Sequence, residues 1–249
     1  SDLGRSARRS APTVRRVSQG MECPVHPVDI ASYGGWMRPA DYPWSVPPVT
    51  GVVRPDGIDV GELPSPDALA ERTPVVAVGS NASPDVLVRK LGDLLATGLP
   101  VAPAVVEGLT VGHFAQVAAR GFIAAAPALS RGARSELTVG WFDTAQLARL
   151  DETEPNYRRE VLTSSCSWAG GEVVRAQVYV SAHGLLADEG EVLPLRPQAE
   201  VLAWLAERLP HLADDLTHDR LTDHALRERV RLALIDRELV ADPWAASAG

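Results

Sequence analysis

VVAVGSNASPDVL, residues 75–87, is the stretch whose reading decides the fold. Val75, Val76, Ala77 and Val78 form a short apolar run, the pattern of a buried strand. Gly79, Ser80 and Asn81 end it. Ser83 then offers an N-cap, and Pro84 suits the first helical position. Leu87, Leu91, Leu94 and Leu95 recur at helical spacing, and Gly98 supplies a stop. The stretch therefore reads strand, tight Gly-Ser-Asn turn, helix. Such a turn exposes backbone N–H groups beside the positive end of a helix dipole. It can hold a carboxylate or phosphate, or stabilise a developing oxyanion.

Working outward, the period changes to two. Leu137, Val139 and Trp141 alternate with Thr138, Gly140 and Phe142, and Val174, Ala176, Val178 and Val180 with Arg175, Gln177 and Tyr179. Residues 157–165 are similar. Residues 100–128 are rich in Val and Ala and punctuated by Gly108, Gly112 and Gly121, also strand-like. Several short strands with few helices suggest a mixed β-barrel or a strongly curved sheet. One helix interrupts them. Asp143 and Gln146 form a capping box, and Pro155 ends the helix because the residue before proline avoids the α region. Two amphipathic helices follow, on Leu202, Leu205 and Leu209 and on Leu226, Val230 and Leu234.

Upstream lie two segments of other character. Residues 1–20 are rich in Arg and Ser and read as a tag remnant or disordered leader. Residues 21–72 carry many prolines with aromatic residues between them, among them Tyr42 and Trp44, and read as an irregular arm packed across a folded core or a disordered linker. Regular structure is expected from Pro74. The division is thus a leader (1–20), an arm (21–72), a strand-rich body (73–195) and a C-terminal helical extension (196–249).

The chain has 249 residues, 24 basic against 32 acidic, for a formal net charge of -8. An acidic chain with no basic stripe is a poor nucleic-acid binder, since phosphate contacts supply most non-specific affinity. It is equally ill-suited to anionic membranes, and no apolar run approaches the ~20 residues of a membrane span. A soluble, cytoplasmic protein is expected. The cysteines, Cys23 and Cys166, cannot build a dense disulfide framework. Cys23 and His26 are half of a structural zinc site at most, and no second pair of ligands appears. Cys166, with no histidine beside it, reads as a small buried or half-exposed thiol. Lys90 is the single lysine, which reads as coding bias. No Walker lysine motif, GxGxxG or Gly-x-Ser-x-Gly elbow is present.

A second feature that could carry chemistry is Asp151-Glu152-Thr153-Glu154-Pro155. Three carboxylates gather at a helix C-terminus, where the dipole and the like charges both disfavour ionisation. A Glu poised this way suits proton transfer. A solvated acidic turn has the same local sequence.

Taken together, VVAVGSNASPDVL, LTVGWFDTAQLARLDETEPNYRREVL (residues 137–162) and AQVYV (residues 176–180) resemble the gamma-glutamylcyclotransferase-like family in order and spacing. The likeness spans roughly residues 73–182, with Arg120-Gly121-Phe122-Ile123-Ala124 similar to the family's glycine-rich strand. It implies an α+β fold, a small mixed β-barrel with flanking helices. It implies that Val78, Gly79, Ser80 and Asn81 bind the glutamyl end of a small-molecule gamma-glutamyl substrate, with Tyr157 lining the pocket and Glu154 moving protons. The implied reaction is cyclisation to 5-oxoproline with release of an amine, without metal or organic cofactor. Two positions depart from the family: Val78 stands where its turn has tyrosine, and Pro155 where glycine is usual. A non-catalytic binding module of the same fold and a related amide hydrolase or acyl transferase stay open. The oligomeric state is not legible.

Overall fold

A computed structural model describes residues 37–42, 44 and 48–244. The leader, Cys23 and His26 lie outside them. Regular structure begins at Gly51, earlier than Pro74. β1 (Gly51–Arg54) and β2 (Gly57–Val60) form a hairpin inside the proline-rich arm, followed by a short helix α1 (Pro66–Ala70). Val53 of β1 is fully buried, so this half of the arm belongs to the core.

The decisive stretch forms β3 (Thr73–Ala77), a short 3-10 turn over Ser80–Ala82, and α2 (Pro84–Leu91). The helix is shorter than the leucine spacing suggests. Gly92, at φ +52°, ends it, and a 3-10 turn carries the chain on to Gly98. Two long strands follow, β4 (Leu99–Val117) and β5 (Ile123–Phe142), then α3 (Thr144–Glu152) and β6 (Tyr157–Val161). Next come β7 (Cys166–Trp168), β8 (Gly171–Glu172), β9 (Gln177–Ser181), β10 (Leu185–Asp188) and β11 (Glu191–Val192). The chain ends its described course with α4 (Gln198–Arg208), α5 (His224–Asp236) and β12 (Val240–Ala241).

The strands form one sheet whose main path runs β11-β10-β4-β5-β3-β9-β6. All its pairings are antiparallel except β3 with β9. The sheet stays open, so the expected barrel is not closed: β6 and β11 are its two ends rather than neighbours. The cause lies in β4 and β5. Their pairing slips between Glu107 and Leu109 and again between His113 and Val117. These irregularities bend the ribbon, and its two halves enter different layers.

β3 explains its own composition. Val75 faces a cluster with Leu87, Leu91, Leu95, Phe142 and Leu150, which beds α2 and α3. Val76 faces the other side, with Ala102, Ala104, Val139, Trp141 and Val178. A strand covered on both faces needs no alternation. The outer half of the β4–β5 ribbon instead packs Ala115, Val117 and Ile123 against Val201, Leu205, Val230 and Leu234 of α4 and α5. No helix among the described residues is long and apolar enough to cross a membrane.

Candidate active site

Glu154 occupies a turn held at both ends. Its N–H donates to Asp151 O (3.1 Å), and its carbonyl accepts from Tyr157 N–H (3.0 Å). The capping box of Asp143 and Gln146 fixes the start of α3, so the position of this turn is set from the helix's other end. The carboxylate reaches the Gly-Ser-Asn turn. Asn81 Nδ2 donates to Glu154 Oε1 at 2.8 Å, Lys90 Nζ donates to the same oxygen at 2.6 Å, and Lys90 Nζ also donates to Asn81 Oδ1 at 2.9 Å. The side chains of Lys90 and Glu154 are only 20% and 12% exposed. Oε1 thus takes two donors from the α2 side. Among the described residues nothing bonds Oε2.

The expected crowd of like charges at the end of α3 does not form. Each carboxylate has its own cation: Asp151 pairs with Arg159, Glu152 with Arg149 and Glu154 with Lys90. Arg159 holds the Asp151 carboxyl below its ordinary range, against a partial opposing effect of burial, and Tyr179 adds a hydrogen bond at 2.6 Å.

Val78, Gly79, Ser80, Asn81, Glu154 and Tyr157 line one cavity of about 220 Å³, together with Pro155, Phe114 and Phe122. The residues singled out in the sequence are therefore brought together. Among the described residues, no acceptor bonds the backbone N–H groups of Gly79, Ser80 or Asn81. The cavity is thus lined both by the turn that carries these N–H groups and by the Glu154 carboxylate hydrogen-bonded to it. Such a site can orient an anionic group and move a proton between two nitrogens. No group of metal-ligating side chains occurs among the described residues.

Two residues of the site escaped sequence reasoning. Lys90 looked like a relic of arginine-rich coding. It sits three residues after buried Leu87 and four after buried Val86, a spacing that turns it inward. Tyr42 comes from the arm. The turn has Val78 where the family has tyrosine, yet a phenol arrives from the arm: Tyr42 stacks on Phe122 (4.7 Å between ring centroids) and accepts the Ala125 N–H at 2.5 Å. Gly79 allows this approach, because a Cβ there would lie 2.8 Å from Tyr42 Oη. Tyr157 Oη donates to Ala125 O at 3.3 Å. Burial raises both phenols above their ordinary value, so both remain protonated at neutral pH.

A second cavity, about 520 Å³, borders the same turn. It shares Tyr42, Val78, Gly79 and Ser80 with the first. Cys166 faces neither cavity; it is buried in an apolar cluster that pushes its thiol up to about 11.

Solved structures to which the chain is similar include one described as a gamma-glutamyl cyclotransferase, at 12% identity and a TM-score of 0.40, covering 65% of this chain and 99% of that one. A solution structure from Arabidopsis thaliana matches at 16% identity and 0.38, covering 57% and 89%. An uncharacterised protein from Homo sapiens matches at 15% identity and 0.35, covering 45% and 68%. No family model and no curated protein matches.

Proposed function

We propose that the protein cyclises a gamma-glutamyl amide or amine to 5-oxoproline, releasing the amine. The observation that carries this reading is the fixed Glu154 carboxylate, tied through one oxygen to Lys90 and Asn81, in a small cavity also lined by a turn whose N–H groups have no acceptor among the described residues. The α-carboxylate of the substrate lies against the N–H groups of the turn. Its free α-amine attacks the γ-carbonyl carbon, forming the ring C–N bond. Glu154 Oε2 takes a proton from the attacking nitrogen and delivers it to the departing one as the old C–N bond breaks. Atoms balance without water, cofactor or enzyme nucleophile. Because the nucleophile belongs to the substrate, holding a folded-back conformer supplies much of the rate.

The test is a product assay by mass spectrometry with a panel of gamma-glutamyl peptides and amines. Glu154→Gln keeps shape and removes proton transfer, so 5-oxoproline formation is expected to fall by about 10²- to 10⁴-fold with cooperative unfolding retained. Full activity in this variant would sink the assignment. Release of free glutamate instead of the lactam would replace cyclisation by hydrolysis. Saturable binding without turnover would leave a binding module.

A further inference from the structure

We propose that the 520 Å³ cavity is the subsite for the departing amine and that it selects amines carrying an aromatic or bulky apolar group. The proposal rests on the cyclisation reading of the Glu154 cavity and adds the substrate class to it.

A glutamyl group is small, and the 220 Å³ cavity suffices for it. The rest of the substrate has to leave that cavity in some direction. One neighbour is a polar recess bordered by Ala118, Ala119 and Asn156. Its charged groups are already engaged: Arg227 donates to the carbonyls of Leu221 and Thr222, and Glu228 pairs with Arg231. The other neighbour is the larger cavity, which shares the lining residues Tyr42, Val78, Gly79 and Ser80 with the first.

The junction has a group in want of a partner. Tyr42 is 2% exposed. Its oxygen accepts from Ala125, but among the described residues nothing accepts its own proton. A buried hydroxyl without an acceptor is costly, and the γ-carbonyl of a substrate lying across the junction provides one. That placement puts the scissile bond between the cavities, with the glutamyl half toward Glu154 and the amine half beyond Val78.

The walls of the larger cavity then define the amine. Trp44, Trp168, Leu137, Pro48 and Pro103 supply apolar surface. The one carboxylate, Glu136, is 78% exposed at the rim and paired with Arg134. Apart from Glu136, the described residues that line it offer no cation for a peptide carboxylate and no anion for a second ammonium. When the C–N bond breaks, the amine nitrogen leaves with the proton from Glu154 and its apolar substituent remains against the tryptophans until release.

Two measurements test this. The first compares kcat/KM for gamma-glutamyl-phenethylamide and gamma-glutamylglycine. The wild type should favour the aromatic amide by at least about tenfold, and Trp168→Ala should bring the ratio close to one. A wild-type ratio near one, or a ratio unmoved in the variant, overturns the subsite. The second uses glutaric acid monophenethylamide and monomethylamide, which lack the attacking amine and cannot cyclise. Calorimetric titration should show the phenethyl analogue binding at least about tenfold tighter, a preference lost in Trp168→Ala. Equal binding, or none by either analogue, overturns the subsite. If that preference is present but neither true substrate yields 5-oxoproline, the subsite stands and cyclisation falls. Should Trp168→Ala not fold, Trp44→Ala removes the other tryptophan that lines this cavity.

Discussion

In the proposed mechanism Glu154 is the group that touches the substrate and Lys90 the group that aims it. Lys90 is absent from the lining of the cavity and holds Oε1 from behind. Lys90→Met keeps a chain of similar length on α2 and removes the ion pair. It is expected to lower kcat about tenfold or more with little change in KM, and Lys90→Arg to recover part of the loss; steady-state kinetics with the best substrate of the panel checks both. His113 carries a separate prediction. It is fully buried, accepts the Arg196 N–H through Nε2, and burial lowers it from 6.5 to about 4. Between those values the unfolded chain binds the proton that the folded chain refuses, so stability rises with pH across the window and falls as pH drops through it. The whole step is about 3 kcal/mol at 1.36 kcal/mol per unit. Urea unfolding at several pH values should show this slope in the wild type and its loss in His113→Phe. At this scale Glu154 and the Gly-Ser-Asn turn were legible because they are local patterns. Tyr42 was not, since its partner Ala125 is 83 residues away and no spacing rule connects them.

Among the elements, α3 was the easiest to read. Its capping box is present as Asp143 accepting from Ala145 and Gln146 while Gln146 accepts the Asp143 N–H. Asp143→Ala should cost about 1 kcal/mol by thermal or chemical denaturation. Because this cap sets where Glu154 begins its turn, catalytic loss should accompany it. β4 and β5 were harder. The glycines of residues 100–128 look like breaks between short strands. In the structure Gly108 (φ +69°) sits at a slip in the pairing of one long strand, and Gly121 (φ +80°) forms the turn between two. A Cβ at Gly121 would meet His218 O at 2.2 Å. Gly121→Ala is therefore expected to destabilise by about 2 kcal/mol or more, read as a lower urea midpoint. The hairpin β1–β2 was hidden by proline content, which forecasts irregularity but does not say where it stops.

For the molecule as a whole, the C-terminal helices looked like an addition, and composition alone could not say otherwise. Their leucines share one apolar cluster with Ala115, Val117 and Ile123 of the ribbon. A chain ending at Arg196 would expose that surface. It is expected to be insoluble or to lose cooperative unfolding, which size-exclusion chromatography and thermal melts would show. Closure of the sheet was equally illegible, because it depends on where two long strands slip and not on which residues are apolar. One further consequence belongs to the chain as a chemical object. With Lys90 as its single lysine, the protein has one side-chain amine, and that amine is sheltered beside the proposed catalytic carboxylate. Acylating mass tags would therefore reach Lys90 more slowly in the folded protein than in the unfolded one, so that the rate of one mass shift per molecule reports whether the proposed active centre is assembled.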